Sequence, residues 1–115
     1  MNFAQRIHDE YLDEEMRAIP EIILIISTMI QLIGPIMDLC DELDGSTESM
    51  KKFADGLKED TLRGKIRRRL ARRVVRKELG SDIYNQINGD KIVEALINAS
   101  ADYPDLASEA YVSSL

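Results

Sequence analysis

Between Glu21 and Asp38 the chain is apolar for sixteen residues, and its only polar side chains there are Ser27, Thr28 and Gln31. A helix that is apolar nearly all round has to be surrounded, so residues 21–33 predict a central buried helix. Pro35 lacks the N–H that would bond the Gln31 carbonyl, which predicts a kink or break at Gly34-Pro35. Beyond it, Ile36, Leu39, Cys40 and Leu43 fall at i, i+3, i+4 and i+7, an ordinary single buried face.

The rest of the pattern is helical wherever a period can be judged, and no segment alternates as a strand would. Residues 3–18 predict a first helix with a thin apolar side of Phe3, Ile7, Tyr11 and Met16, and Pro20 suits the first turn of the second. Ser46 or Thr47 can cap a helix that turns Met50, Phe53, Ala54 and Leu57 inward. Asp60 or Thr61 can cap the next, which runs to Leu79 and stops at Gly80. Ser81 opens a short helix with Ile83, Tyr84 and Ile87 inward, ended by Asn88-Gly89, and Asp90 opens another with a stripe of Ile92, Val93, Leu96 and Ile97. Tyr103-Pro104 breaks that helix, and Leu106, Ala107, Ala110 and Tyr111 mark the last. The prediction is one all-α domain over residues 1–115, a compact bundle of six or seven short helices around the apolar one.

Composition narrows the chemistry. One cysteine, Cys40, excludes a disulfide framework and suits a reducing compartment. No Trp, two Phe and four Tyr leave little for an aromatic platform. As a helix, residues 22–37 would reach about 24 Å against a hydrocarbon thickness of roughly 30 Å, with acids on both flanks, so a membrane span is not expected. The acidic, polar first fifteen residues do not resemble a secretory signal. The expectation is a soluble cytoplasmic or intracellular protein.

The net charge of −6 hides a segregation of sign. Residues 1–60 carry −9, residues 61–80 carry +8, and residues 81–115 carry −5. Nine of the fifteen basic residues are Arg63, Lys65, Arg67, Arg68, Arg69, Arg72, Arg73, Arg76 and Lys77, with no acid among them. Such asymmetry marks a site for a polyanion or an acidic partner. Ile66, Leu70 and Val74, four apart, predict the inward side of this helix, with Arg67, Arg68, Arg72, Arg73 and Arg76 turned to solvent. Guanidinium forks match phosphate oxygens, so these nine residues are the candidate nucleic-acid or polyanion site. Neutralisation by the acidic first helix of the same or another subunit is the plain alternative. A basic helix lying on an anionic membrane is a further one, weakened by a stripe without Trp or Phe.

Other motifs fall away. Residues 81–103 have the lengths of a helix-turn-helix, but Asp90, Glu94 and Asp102 against Lys91 would repel DNA. The acids from Asp9 to Glu15 lack the Glu-x-x-His of a di-iron site, and Asp41 to Gly45 fails the calcium-loop spacing. His8 and Cys40 are the only possible thiolate–imidazole pair, and nothing in the pattern brings them together. No phosphate loop or nucleophile elbow is present, so neither an enzyme nor a cofactor or metal is expected.

The sequence thus predicts a small non-enzymatic helical protein that binds a nucleic-acid backbone without sequence preference. By elimination, an accessory or assembly role in a phage or mobile element would fit it. The alternative is an adaptor or inhibitor whose Arg helix engages an acidic protein surface, and a lower one is a membrane-active helical protein that inserts residues 22–37. Leu24, Ile25, Met29, Ile30, Leu32 and Ile33 spread around one helix, which predicts a homo-oligomer with these residues at the interface.

Overall fold

The computed structural model describes residues 2–40 and 45–114. Among them the chain forms nine helical segments and no strand: α1 (Phe3–Tyr11), α2 (Glu14–Arg17), α3 (Ile22–Gln31), α4 (Ile33–Leu39), α5 (Thr47–Lys58), α6 (Leu62–Leu79), α7 (Ser81–Gln86), α8 (Gly89–Asp102) and α9 (Pro104–Ser113). The all-α class is as the periodicity predicts. The radius of gyration is 13.0 Å, matching the roughly 13 Å expected of a compact domain this long.

Helix ends follow local chemistry. The Ser46 hydroxyl accepts from Ser49 N at 3.2 Å and starts α5, and the Thr61 hydroxyl accepts from Gly64 N at 3.0 Å and starts α6. Gly80, at φ 88, ends α6 in a conformation that costs glycine little. Pro104 occupies the first turn of α9, where a missing N–H is no loss.

Three boundaries differ from the sequence reading. The expected first helix divides, because the Asp13 carboxylate caps Met16 N at 2.9 Å while Leu12 is extended and buried. Pro20 lies before α3, in a turn closed by Glu21 at φ 61. The apolar run breaks at Leu32 rather than at Gly34-Pro35: Leu32 N turns back to Met29 O at 3.0 Å, and Pro35 falls in the first turn of α4, where its missing donor is harmless. Ile22–Leu39 has the length and composition of a membrane span, with mean hydropathy 2.0, but this break divides it into two helices.

The central element is α8, not the Ile-rich helix. Helix α8 packs on α1, α3, α5, α6, α7 and α9, and buries Ile92, Val93, Leu96 and Ile97 together with Gly89, Ala95, Ala99, Ser100 and Ala101. Small residues let neighbouring backbones approach on every side; a Cβ at Gly89 would lie 2.4 Å from the Tyr84 ring. Helix α3 buries only Ile22, Ile26, Met29 and Ile30. Its outer side carries exposed Ile23 and Leu24, and Thr28 satisfies its hydroxyl on Leu24 O at 3.0 Å.

Candidate nucleic-acid interface on helix α6

Helix α6 is rotated relative to the expected orientation. Its buried residues are Gly64, Ala71 and Val75, whereas Ile66 is 51% exposed and Leu70 and Val74 are half-buried. The expected inward stripe of Ile66, Leu70 and Val74 is therefore corrected. The reason is steric: a Cβ at Gly64 would stand 2.2 Å from the Glu59 carbonyl oxygen, so only glycine lets α6 lie this close to the end of α5. Ala71 continues the small face one heptad on.

This rotation carries two arginines inward, each to the C-terminal end of another helix. The Arg68 guanidinium is half-buried, and its Nη1 donates to Leu57 O at 2.8 Å and Glu59 O at 2.7 Å. Those carbonyls belong to the last turn of α5 and its cap, which have no helical donor, and they form the negative end of its dipole. Arg67 Nη2 donates to Cys40 O, the cap of α4, at 3.4 Å. Arg67 and Arg68 thus act as C-terminal caps.

Two more are tethered on the flank of α6 facing α7 and α8. Arg72 Nε lies 3.9 Å from Asp90 Oδ1, the atom that accepts the Tyr84 hydroxyl at 2.5 Å. The Arg76 guanidinium stacks 4.9 Å from the centroid of the same Tyr84 ring. Burial, and then the bond to Asp90, push the Tyr84 phenol above its ordinary range.

The remaining five cations point outward. Arg63, Lys65, Arg69, Arg73 and Lys77 are exposed, and Lys65 meets Asp60 at 3.7 Å across open solvent. Among the described residues, Arg63, Arg69, Arg73 and Lys77 make no hydrogen bond or ion pair. Arg69, Arg73 and Lys77 fall at i, i+4 and i+8, a single row about 12 Å long. No ion pair among the described residues joins this row to the acidic N-terminal segment: Glu10 pairs with Arg6 at 3.2 Å, and Asp9 with His8 at 2.7 Å. The intramolecular form of the neutralisation alternative is corrected accordingly.

Of the six proposed interface residues, Met29, Ile30 and Ile33 are buried in the chain's own core, Ile25 and Leu32 are half-buried, and only Leu24 is largely exposed, at 63%. Met29 and Ile30 are thus core residues of the subunit, because α3 turns that side onto α1, α8 and α9, and Ile33 at the start of α4 joins the same core. Cys40 is buried, and His8 bonds Asp9. Asp41 to Asp44, with Leu43, lie outside the described residues. No three His, Cys, Asp or Glu side chains gather as metal ligands would among the described residues. A cleft of about 340 Å³ between α5, α6 and α8 brings Lys58, Arg68 and Arg72 against Asp90 and Glu94, so its charges largely offset one another. No family model, curated protein or solved structure matches the chain.

Proposed function

We propose that the protein binds a nucleic-acid backbone without sequence preference, through Arg63, Lys65, Arg69, Arg73 and Lys77 on the outer side of α6. The observation that carries this reading is the row Arg69–Arg73–Lys77, which has no acidic partner among the described residues although the chain outside residues 61–80 carries −14. A partnerless row of guanidinium and ammonium groups holds phosphates by releasing their counterions. The acidic remainder repels the same polyanion, which confines contact to one strip. Helix α6 contains no aromatic, Asn or Gln side chain, so it offers phosphate contact without a stacking platform or an amide to read base edges.

Arg67, Arg68, Arg72 and Arg76 have a different task in this account, since they fasten α6 to its neighbours. The test is a gel shift on duplex DNA and on single-stranded RNA at low salt. The Arg69→Ala/Arg73→Ala/Lys77→Ala variant should lose the shift while keeping the wild-type helical circular dichroism. A variant that shifts both probes as wild type does would overturn the assignment.

A further inference from the structure

The rotation of α6 leaves an apolar row in the open. Leu62 is 76% exposed and Ile66 51%, and Leu39 at the end of α4 is 56% exposed beside them. With Leu70 and Cys40 they line a groove of about 470 Å³ between α4 and α6, flanked by Arg63 and Arg67. Three large aliphatic side chains in one concavity have no use in holding phosphates. They are what an amphipathic helix needs in order to seat its own apolar side.

We infer that this groove binds an acidic amphipathic helix of a partner protein, with the partner's apolar row on Leu39, Leu62 and Ile66 and its carboxylates toward Arg63 at the rim. Charge selects the occupant. Any helix laid along α6 enters the field of a +8 segment, so an acidic one is attracted and a basic one repelled. A second copy is a poor fit for the same reason, since pairing two α6 helices would oppose like charges. Among the described acidic elements, α1 and α2 carry no large exposed apolar residue, α7 offers only Ile83 beside Asp82, and α9 only Val112 beside Asp105 and Glu109, so none supplies an apolar row. Concavity argues against a membrane, which presents a flat surface, and the row has no Trp or Phe to anchor at an interface. From Leu62 to Leu70 the row spans about 12 Å, so roughly three turns of partner helix would cover it.

The inference does not rest on nucleic-acid binding, and the experiment separates the two. The probe is a fluorescein-labelled synthetic helix of about 15 residues with Leu at i, i+4 and i+7 and Glu on its other faces. It is compared with a scrambled peptide of the same composition and with a Lys-for-Glu counterpart. Fluorescence anisotropy should give saturable binding of the acidic amphipathic peptide alone. Leu62→Ser/Ile66→Ser should weaken it at least about tenfold, because the buried apolar contact is lost. Both residues are largely exposed, so the variant should keep wild-type circular dichroism, and it should keep the wild-type shift on DNA and RNA. Equal binding of the scrambled or the basic peptide, or no effect of the double substitution, would overturn the inference. So would a dimeric mass that the double substitution makes monomeric, or binding to anionic phosphatidylserine vesicles that the same substitution abolishes.

Discussion

Arg68→Ala should destabilise the protein while Arg69→Ala should not, although the two residues are adjacent and carry the same charge. Arg68 donates to Leu57 O and Glu59 O at 2.8 and 2.7 Å, and these carbonyls have no helical donor. A hydrogen bond to a charged group contributes about 1.5–3 kcal/mol when well shielded, and less when the guanidinium is half in solvent. Two such bonds at a half-buried site come to about 2 kcal/mol in all. Arg69 is exposed and makes no contact of this kind, so its loss should stay within about 0.5 kcal/mol. Both substitutions relieve the same like-charge repulsion along α6, and their difference therefore reports the carbonyl contacts. In urea, with a slope of roughly 1.5 kcal/mol per M for a chain this size, the Arg68→Ala midpoint should fall by about 1.3 M. The Arg69→Ala midpoint should move by at most about 0.3 M. Equal midpoints for the two variants, or the larger loss at Arg69, would refute the rotation of α6.

The same rotation makes Gly64→Ala damaging: its Cβ would meet the Glu59 carbonyl oxygen at 2.2 Å, and a thermal melt should register a loss of about 1–3 kcal/mol from forced backbone movement. In α3, Ile26→Ala should cost about 2–5 kcal/mol in a urea titration and Leu24→Ala well under half of that, because Ile26 is buried and Leu24 is not. Alkaline pH provides a further check. Burial first, and then Asp102 and Asp90, raise the Tyr11 and Tyr84 phenols above their ordinary value near 10, which means that the folded state favours their neutral forms. The stability this supplies is complete below pH about 10 and is lost as pH climbs beyond it. Absorbance at 295 nm should show part of the tyrosine population ionising late, and Tyr84→Phe should reduce the fall in melting temperature between pH 8 and 11.

Much of the fold was legible because its punctuation is local. Ser46, Thr61, Gly80 and Pro104 fix helix ends through their own side chains or backbone angles, and these positions are readable without a partner in view. Asp13 is different: a carboxylate inside an otherwise helical stretch can be an exposed side chain or a cap, and the burial of Leu12 decides it. The larger differences share one cause. Hydrophobic count placed α3 at the centre and Ile66, Leu70 and Val74 on the inside of α6, whereas close packing follows small residues. Ala95, Ala99 and Ala101 make α8 the hub, and Gly64, Ala71 and Val75 make the inner face of α6. A glycine and an alanine seven residues apart were the available signal in a helix otherwise full of long side chains. The division of the nine cations into caps, tethers and an outward row had no sequence signal beyond that rotation, since it depends on where α4 and α5 end and on where α7 and α8 place Tyr84 and Asp90.

The salt dependence of duplex binding tests the phosphate-binding account most directly. If Arg63, Lys65, Arg69, Arg73 and Lys77 each neutralise one phosphate, log K against log salt should fall with a slope of roughly −4.5. Arg69→Ala/Arg73→Ala should make that slope shallower by roughly 2, while Lys51→Ala/Lys52→Ala on α5, which removes the same charge elsewhere, should leave it near the wild-type value. No binding at low salt, or an equal change in slope from the α5 pair, would contradict a phosphate-holding row on α6.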